Sequence, residues 1–143
     1  MIEEALKNYI AYYEKLTPAT IGDLRQLAAA DMYFEDPFNK FTGVEKLIAL
    51  YQKMYQVMDN PRFVILHSAV LGNQAYIHWH MFYYLKGKKQ EHKIDGISLV
   101  VFNEGGKLIS HIDYWDAGQA VYAQIPVLGS IIRFIRRKLG AAD

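Results

Sequence analysis

The sequence predicts an α+β fold in which a cone-shaped, curved antiparallel sheet packs against three helices, with an extra helix at the C-terminus. Three observations predict it. Apolar residues recur at helical spacing up to about residue 58 and then alternate with polar ones to about residue 115. Turn signals at Gly72-Asn73, Lys86-Gly87-Lys88 and Glu104-Gly105-Gly106 divide the alternating part into four runs. The chain also holds eleven Tyr, seven Phe and two Trp, and aromatics with polar tips suit walls that are apolar yet must hydrogen-bond something.

In order, residues 3–16 read as a helix, because Ile2, Leu6, Tyr9, Ile10 and Tyr13 form one stripe. Thr17-Pro18 ends it, since the residue before proline avoids the helical region. A short second helix is expected over about 18–29 and a short strand over Met32–Phe38. A third helix opens after Thr42-Gly43 and runs to Met58, with Leu47, Leu50, Tyr51, Met54 and Met58 as its stripe, until Asn60-Pro61 breaks it. Arg62–Leu71, Ala75–Leu85, His92–Phe102 and Leu108–Trp115 are the four long strands. A last helix covers about 127–139 and stops at Gly140. A curved sheet closed on one side by helices leaves a conical space, where pockets form.

The 143 residues are expected to make a single domain, 1–143. Sixteen Lys and Arg against fifteen Asp and Glu leave no global field to draw in nucleic acid, so none is expected as a partner. The absence of cysteine excludes disulfides, thiolate metal sites and a Cys nucleophile, and suits a reducing compartment. The opening MIEEALKN lacks the apolar core of a signal peptide, and no apolar run nears the roughly 18 residues of a membrane span; a cytoplasmic protein is expected. With no Gly-rich phosphate loop, no HExxH and no Cys cluster, no cofactor and no metal are expected either.

The stretch His111-Ile112-Asp113-Tyr114-Trp115-Asp116 carries the chemistry. His111, Asp113 and Trp115 share one face of a strand. An acid, a base and a large aromatic on one face suit a cavity wall, and the alternative is a surface salt pair. Asp36 precedes a proline and shares a face with Phe34. A carboxylate beside an apolar wall is a usable base, although Asp-Pro is also common turn chemistry. In the second long strand, Ile77, Trp79, Met81 and Tyr83 point one way and His78 and His80 the other. Counted from the Gly-Asn turn, Trp79 faces inward. Two histidines at this spacing can ligate zinc if a third ligand is near; otherwise they belong to the outer sheet face, together with Phe82 and Tyr84. That much aromatic surface predicts a homodimer through the outer face. Tyr9 and Tyr13, one helical turn apart, are either core tyrosines or functional hydroxyls. The last helix sets Leu128, Ile131, Ile132, Ile135 and Leu139 against Arg133, Arg136 and Arg137. Such a basic amphipathic helix can lie on an anionic membrane surface, but it is expected to pack on its own domain or on a twin.

The element order, with "YFEDP" before the third helix and "HIDYWDAG" on the last strand, resembles the nuclear-transport-factor-2-like superfamily over residues 1 to about 118. That group includes steroid Δ-isomerases, limonene epoxide hydrolases, scytalone dehydratases and SnoaL-like polyketide cyclases, and one cone hosts many chemistries. The resemblance implies roles residue by residue. Glu35-Asp36-Pro37 is similar to the Glu-Asp-Pro whose Asp shuttles the proton in the steroid isomerases. Tyr9 is similar to their oxyanion-hole tyrosine. Their second donor precedes a Phe-Asn-x-x-Gly-Lys hairpin, here Phe102 to Lys107, and Ser98 stands at its position. Asp113 in "DYWD" resembles the water-activating Asp of the epoxide hydrolases, while His78-Trp79-His80 stands where they carry Arg-x-Asp. Asp36, Asp113, His111 and Tyr9 are therefore the expected catalytic set. Tyr13, Phe34, Trp79, Met81, Tyr83, Ser98, Val100 and Trp115 are the expected substrate contacts. The implied function is acid–base chemistry on a small, mostly apolar molecule. A non-catalytic carrier with the same cone, or a protein–protein adaptor using the exposed sheet face, remains open.

Overall fold

The computed structural model describes residues 2–120 and 126–140. Its elements run α1 (Ile2–Glu14), a 3₁₀ turn (Ile21–Asp23), α2 (Leu24–Leu27), β1 (Ala28–Glu35), β2 (Lys40–Thr42), α3 (Val44–Val57), β3 (Met58–Leu71), β4 (Gln74–Leu85), β5 (Glu91–Phe102), β6 (Leu108–Trp115), α4 (Ala117–Ala120) and α5 (Pro126–Leu139). The six strands form one mixed, curved sheet in the order β2-β1-β6-β5-β4-β3, so the fold is α+β as the sequence predicts.

Four local readings change. The second helix shrinks to the 3₁₀ turn plus one turn of α2, because Ala28 is already in the sheet, paired with Leu108. Sheet pairing outcompetes the helix propensity of Ala28-Ala29-Ala30. The three-residue edge strand β2 is too short to show a period in the sequence. Asn60-Pro61 interrupts no helix; it lies inside β3, where the register with β4 shifts between Asp59 and Arg62. Proline cannot donate to a ladder and is tolerated at such a bulge, and Asn60 takes the left-handed conformation there, with φ 51°. Finally, the sheet is not wholly antiparallel: β1 and β6 run parallel, with Phe34 opposite His111, while the other neighbours are antiparallel. Register shifts between β1 and β6, β3 and β4, and β5 and β6 add local twist, which bends a sheet.

The concave face carries the core. Ala75, Ile77, Trp79, Met81 and Tyr83 of β4 are buried, as are Ile94, Ser98, Val100 and Phe102 of β5. Against them pack Leu6, Tyr9, Tyr12 and Tyr13 of α1 and Val44, Leu47, Ile48 and Tyr51 of α3. Among the described residues no helix is long and apolar enough to cross a membrane. In α5, Ile131, Phe134, Ile135 and Leu139 are exposed, so the described part of its apolar stripe is not buried against the rest of the chain. Among the described contacts of α5 with the rest of the chain, Arg136 bonds the side chains of Asp116 and Gln119. The side chains of Leu128 and Ile132 lie outside the described residues.

Candidate active site

Between the concave sheet face, α1 and α3 lies a cavity of about 400 Å³, the scale of a small-molecule site. Ile10, Leu50, Met54, Phe63, Ile65, Ile77 and Met81 make much of its wall. The polar side chains on that wall include Asp36, Asn39, Lys53, Ser98, His111 and Asp113, with Tyr13, Tyr51 and Tyr83. Phe38 and Val57, both about half exposed, stand on the lining as well. Phe38 meets Trp115 edge-on, with ring centroids 5.4 Å apart.

Pleating brings the polar groups together. Ser98 of β5 is directly opposite Asp113 of β6, and Val100 is opposite His111. Ser98 donates its hydroxyl to Asp113 Oδ1 and accepts the indole N–H of Trp79 at 2.8 Å. His111 Nε2 lies 2.7 Å from the same Asp113 oxygen. Its other nitrogen, Nδ1, is 2.6 Å from the Tyr9 hydroxyl. Tyr9 is 3.0 Å from Tyr13, and Tyr13 is 2.8 Å from Tyr51. One unbroken chain of hydrogen bonds therefore runs Tyr51, Tyr13, Tyr9, His111, Asp113, Ser98, Trp79.

The chain has a direction. Burial, above all, pushes the hydroxyls of Tyr9, Tyr13 and Tyr51 well above the ordinary tyrosine pKa, so they stay neutral O–H groups. When Asp113 is ionised it only accepts, and a neutral His111 gives it Nε2–H. Nδ1 then accepts from Tyr9, Tyr9 from Tyr13, and Tyr13 from Tyr51. Both nitrogens of His111 are engaged, so the ring holds Asp113 rather than reaching a ligand with a nitrogen of its own. Asp113 uses Oδ1 for both bonds, and Oδ2 takes part in neither.

The structure places the sequence-predicted residues as follows. Asp36, Phe34, Tyr13, Trp79, Met81, Tyr83, Ser98, His111, Asp113 and Trp115 all line the cavity. Tyr9 and Val100 do not. Tyr9 is fully buried behind the wall, edge-on to Phe102 and His111, so its hydroxyl is spent on the imidazole. Val100 is fully buried between Ala75 and His111 of the flanking strands. Asp36 is on the wall, but as a turn residue. Its Oδ1 accepts the backbone N–H groups of Phe38 and Asn39 at 2.8 and 2.7 Å, and the Asn39 side-chain amide bonds both of its oxygens. Two features escaped sequence reasoning. Tyr51 reads as an ordinary stripe residue of α3, yet its hydroxyl ends the chain. Gly96 lies opposite Trp79 on one side and Trp115 on the other. A Cβ there would meet Trp79 Cζ2 and Cη2 at 2.4 Å, so the missing side chain makes room for that indole. A glycine inside a strand marks such a close approach, the only hint the sequence carries.

The family model for the SnoaL-like domain matches residues 9–111 of this chain. The chain belongs to the SnoaL-like family. Solved structures agree on the fold, which is the nuclear-transport-factor-2-like, ketosteroid-isomerase-like cone. One is a hypothetical protein with a ketosteroid isomerase-like fold from Catenulispora acidiphila DSM 44928, solved in complex with trimethylamine. It is 21% identical to this SnoaL-like chain, covers 87% of it and 93% of its own length, and has a TM-score of 0.70. Another is an LEH-like epoxide hydrolase of M. tuberculosis, with 13% identity, 92% and 97% coverage, and a TM-score of 0.71. A third is an NTF2-like protein of unknown function from Burkholderia pseudomallei K96243, with 11% identity, 96% and 98% coverage, and a TM-score of 0.69. No curated protein matches the sequence.

Proposed function

We propose that this SnoaL-like chain is a cofactor-independent acid–base catalyst of the isomerase, cyclase, dehydratase or hydrolase type. Its substrate is a small, mostly apolar molecule held in the cavity, and Asp113 exchanges the proton. One observation carries this reading. Among the described residues two carboxylates stand on the wall: Asp36 has both oxygens bonded within its own turn, whereas Asp113 has Oδ1 held by His111 and Ser98 and no described hydrogen bond on Oδ2.

The roles follow from that geometry. Asp113 takes a proton on Oδ2 from the substrate, or from an attacking water in the hydrolase case, and returns it to another atom of the reacting substrate. Oδ1 keeps its two donors throughout, which fixes the carboxyl plane and stabilises its charge before the proton is taken and after it is returned. His111, Tyr9 and Ser98 are positioning residues. The hydroxyls of Tyr13 and Tyr51 give the opposite wall groups that can meet a polar atom of the substrate, and Trp79, Met81, Tyr83 and Trp115 enclose its apolar body. A mostly apolar wall also excludes water, so a developing charge is felt strongly. The trimethylamine complex of the Catenulispora protein supports small-molecule binding by a protein of this fold. Pairing of two copies through the outer sheet face is part of the proposal, supported by the exposed Tyr76, Ile97 and Tyr114.

The test begins with small molecules that co-purify with the protein, identified by mass spectrometry, and their close analogues. Each is incubated with protein in D2O and followed by NMR for deuterium at acidic C–H positions. Exchange should fall about 100-fold or more in Asp113→Asn, the usual worth of a positioned proton carrier, and much less in Asp36→Asn. A ligand that is retained with no exchange or conversion would overturn catalysis in favour of carriage. Activity that survives Asp113→Asn would overturn the assignment of the base.

A further inference from the structure

The convex face of the sheet carries a second cluster that the cavity does not use. His67 of β3, His78 and His80 of β4 and Asp95 of β5 meet there, holding three of the five histidines of the chain. His78 Nε2 is 2.6 Å from Asp95 Oδ1, and His80 Nε2 is 3.0 Å from the same oxygen. The ligand atoms available on His78, His80 and Asp95 all lie within 4.8 Å of one another. His67 Nε2 is 3.2 Å from His78 Nδ1, the nitrogen that faces away from Asp95.

We infer that His78, His80 and Asp95 form a binding site for a first-row divalent transition ion such as Zn²⁺, with His67 as the residue that orients His78. Two imidazoles and a carboxylate are a donor set that zinc accepts, leaving a fourth, open position for water. The strand geometry makes the set stiff. His78 and His80 are two apart on one strand, so their rings project side by side, and Asp95 is directly opposite His80 on the neighbouring strand. Ligands on one tetrahedral ion stand roughly 3.4 Å apart, as bonds of about 2.1 Å require. The observed spacings need only small side-chain rotations to reach that value. In the metal-free chain each Nε2 gives its hydrogen to Asp95, since an ionised carboxylate can only accept. An ion would take the place of those two hydrogens: each Nε2 would present its lone pair, with the imidazole hydrogen on Nδ1. For His78 that Nδ1–H would point at His67 Nε2, the arrangement in which a partner fixes the tautomer and ring of a metal-bound histidine.

The site is tested with tag-free protein titrated with Zn²⁺ in an isothermal calorimeter, with sedimentation run on the same mixtures. One ion per chain is expected, taken up without a change in mass. His80→Gln and Asp95→Asn each remove a direct ligand and should weaken binding by more than the roughly 10–100-fold that loss of an orienting partner costs. His67→Gln should fall within that smaller range. His92→Gln is the control: His92 stacks on Tyr83, centroids 5.2 Å apart, and is outside the cluster, so binding should not change. All four positions are at least partly exposed, and circular dichroism confirms that each variant is folded. Equal uptake by wild type and His78→Gln/His80→Gln overturns the proposal, as does zinc taken up only while chains associate.

Discussion

Adding one methyl group at Gly96 should disturb the cavity from behind. The Cβ of Gly96→Ala would sit 2.4 Å from two atoms of the Trp79 ring and 2.9 Å from a third. Carbon atoms in ordinary contact are about 3.5–4.0 Å apart, so the indole must retreat by roughly 1 Å or more. Trp79 is buried, with Phe63 edge-on at 6.0 Å between centroids, so the retreat strains packing on its other side. It also pulls the indole N–H from the Ser98 hydroxyl, a 2.8 Å bond. Overpacking of this kind costs roughly 1–3 kcal/mol and a buried hydrogen bond about 1, or roughly 2–4 kcal/mol together. With an unfolding entropy of about 2.1 cal/mol/K per residue over 143 residues, that is a fall in Tm of roughly 7–13 °C. Thermal unfolding by circular dichroism gives the shift. Tryptophan emission in a Trp115→Phe background, which leaves Trp79 as the sole emitter, reports whether the ring has moved. A Tm within 2 °C of the parent, with unchanged emission, would refute the claim that Gly96 is kept free of a side chain for Trp79.

The buried tyrosines predict an alkaline limit to stability. Tyr9, Tyr13 and Tyr51 have folded pKa values raised above the unfolded value of about 10. Their stabilisation is complete below about pH 10. It is lost as pH rises further, because the unfolded chain then gives up protons that the folded chain keeps, at about 1.4 kcal/mol per pH unit for each tyrosine. Urea unfolding at pH 8 and pH 11 measures the loss. Phenolate absorbance in folded protein that accounts for all eleven tyrosines near pH 10 would contradict it. Ser98→Ala should destabilise by roughly 1–3 kcal/mol in urea, because it leaves the Trp79 N–H buried without an acceptor; a change under 0.5 kcal/mol would show that this N–H finds another partner. Tyr9→Phe cuts the hydrogen-bond chain between Tyr13 and His111. It should alter the ¹⁵N shifts of the His111 ring, and an unchanged spectrum would deny that the Tyr9 hydroxyl bonds Nδ1.

Much of this was legible because a strand announces its faces. Alternation, counted from the Gly-Asn turn, put Trp79, Met81 and Tyr83 on the buried side of β4 and His78 and His80 on the other. It put His111, Asp113 and Trp115 on one face of β6. What alternation cannot give is register across strands. That depends on the turns between them, and the loop before Glu91 does not announce its offset. Hence the meeting of Asp95 with His78 and His80, and the match of Gly96 with Trp79, emerged only in three dimensions. Tyr51 was hidden differently. On a helix a core tyrosine and a tyrosine whose hydroxyl joins a network occupy the same stripe. Asp36 shows the reverse problem: the Asp-Pro pair is compatible with a turn and with a catalytic strand end, and only its bonds to Phe38 and Asn39 reveal how its oxygens are used.

The parallel seam between β1 and β6 has a consequence for how the protein comes into being. β3, β4 and β5 can zip as successive hairpins, and β1 with β2 is equally local. Only β6, the last strand of the sheet, joins these two pieces, and it does so by placing Leu108 beside Ala28 and His111 beside Phe34. Pairings so distant along the chain close slowly, because the intervening loop must surrender its entropy before any contact compensates. During synthesis β1 must wait as an open edge until nearly the whole domain has emerged. The strand that completes the sheet also carries His111 and Asp113. A chain in which β6 has not yet docked therefore lacks His111 and Asp113 on its cavity wall.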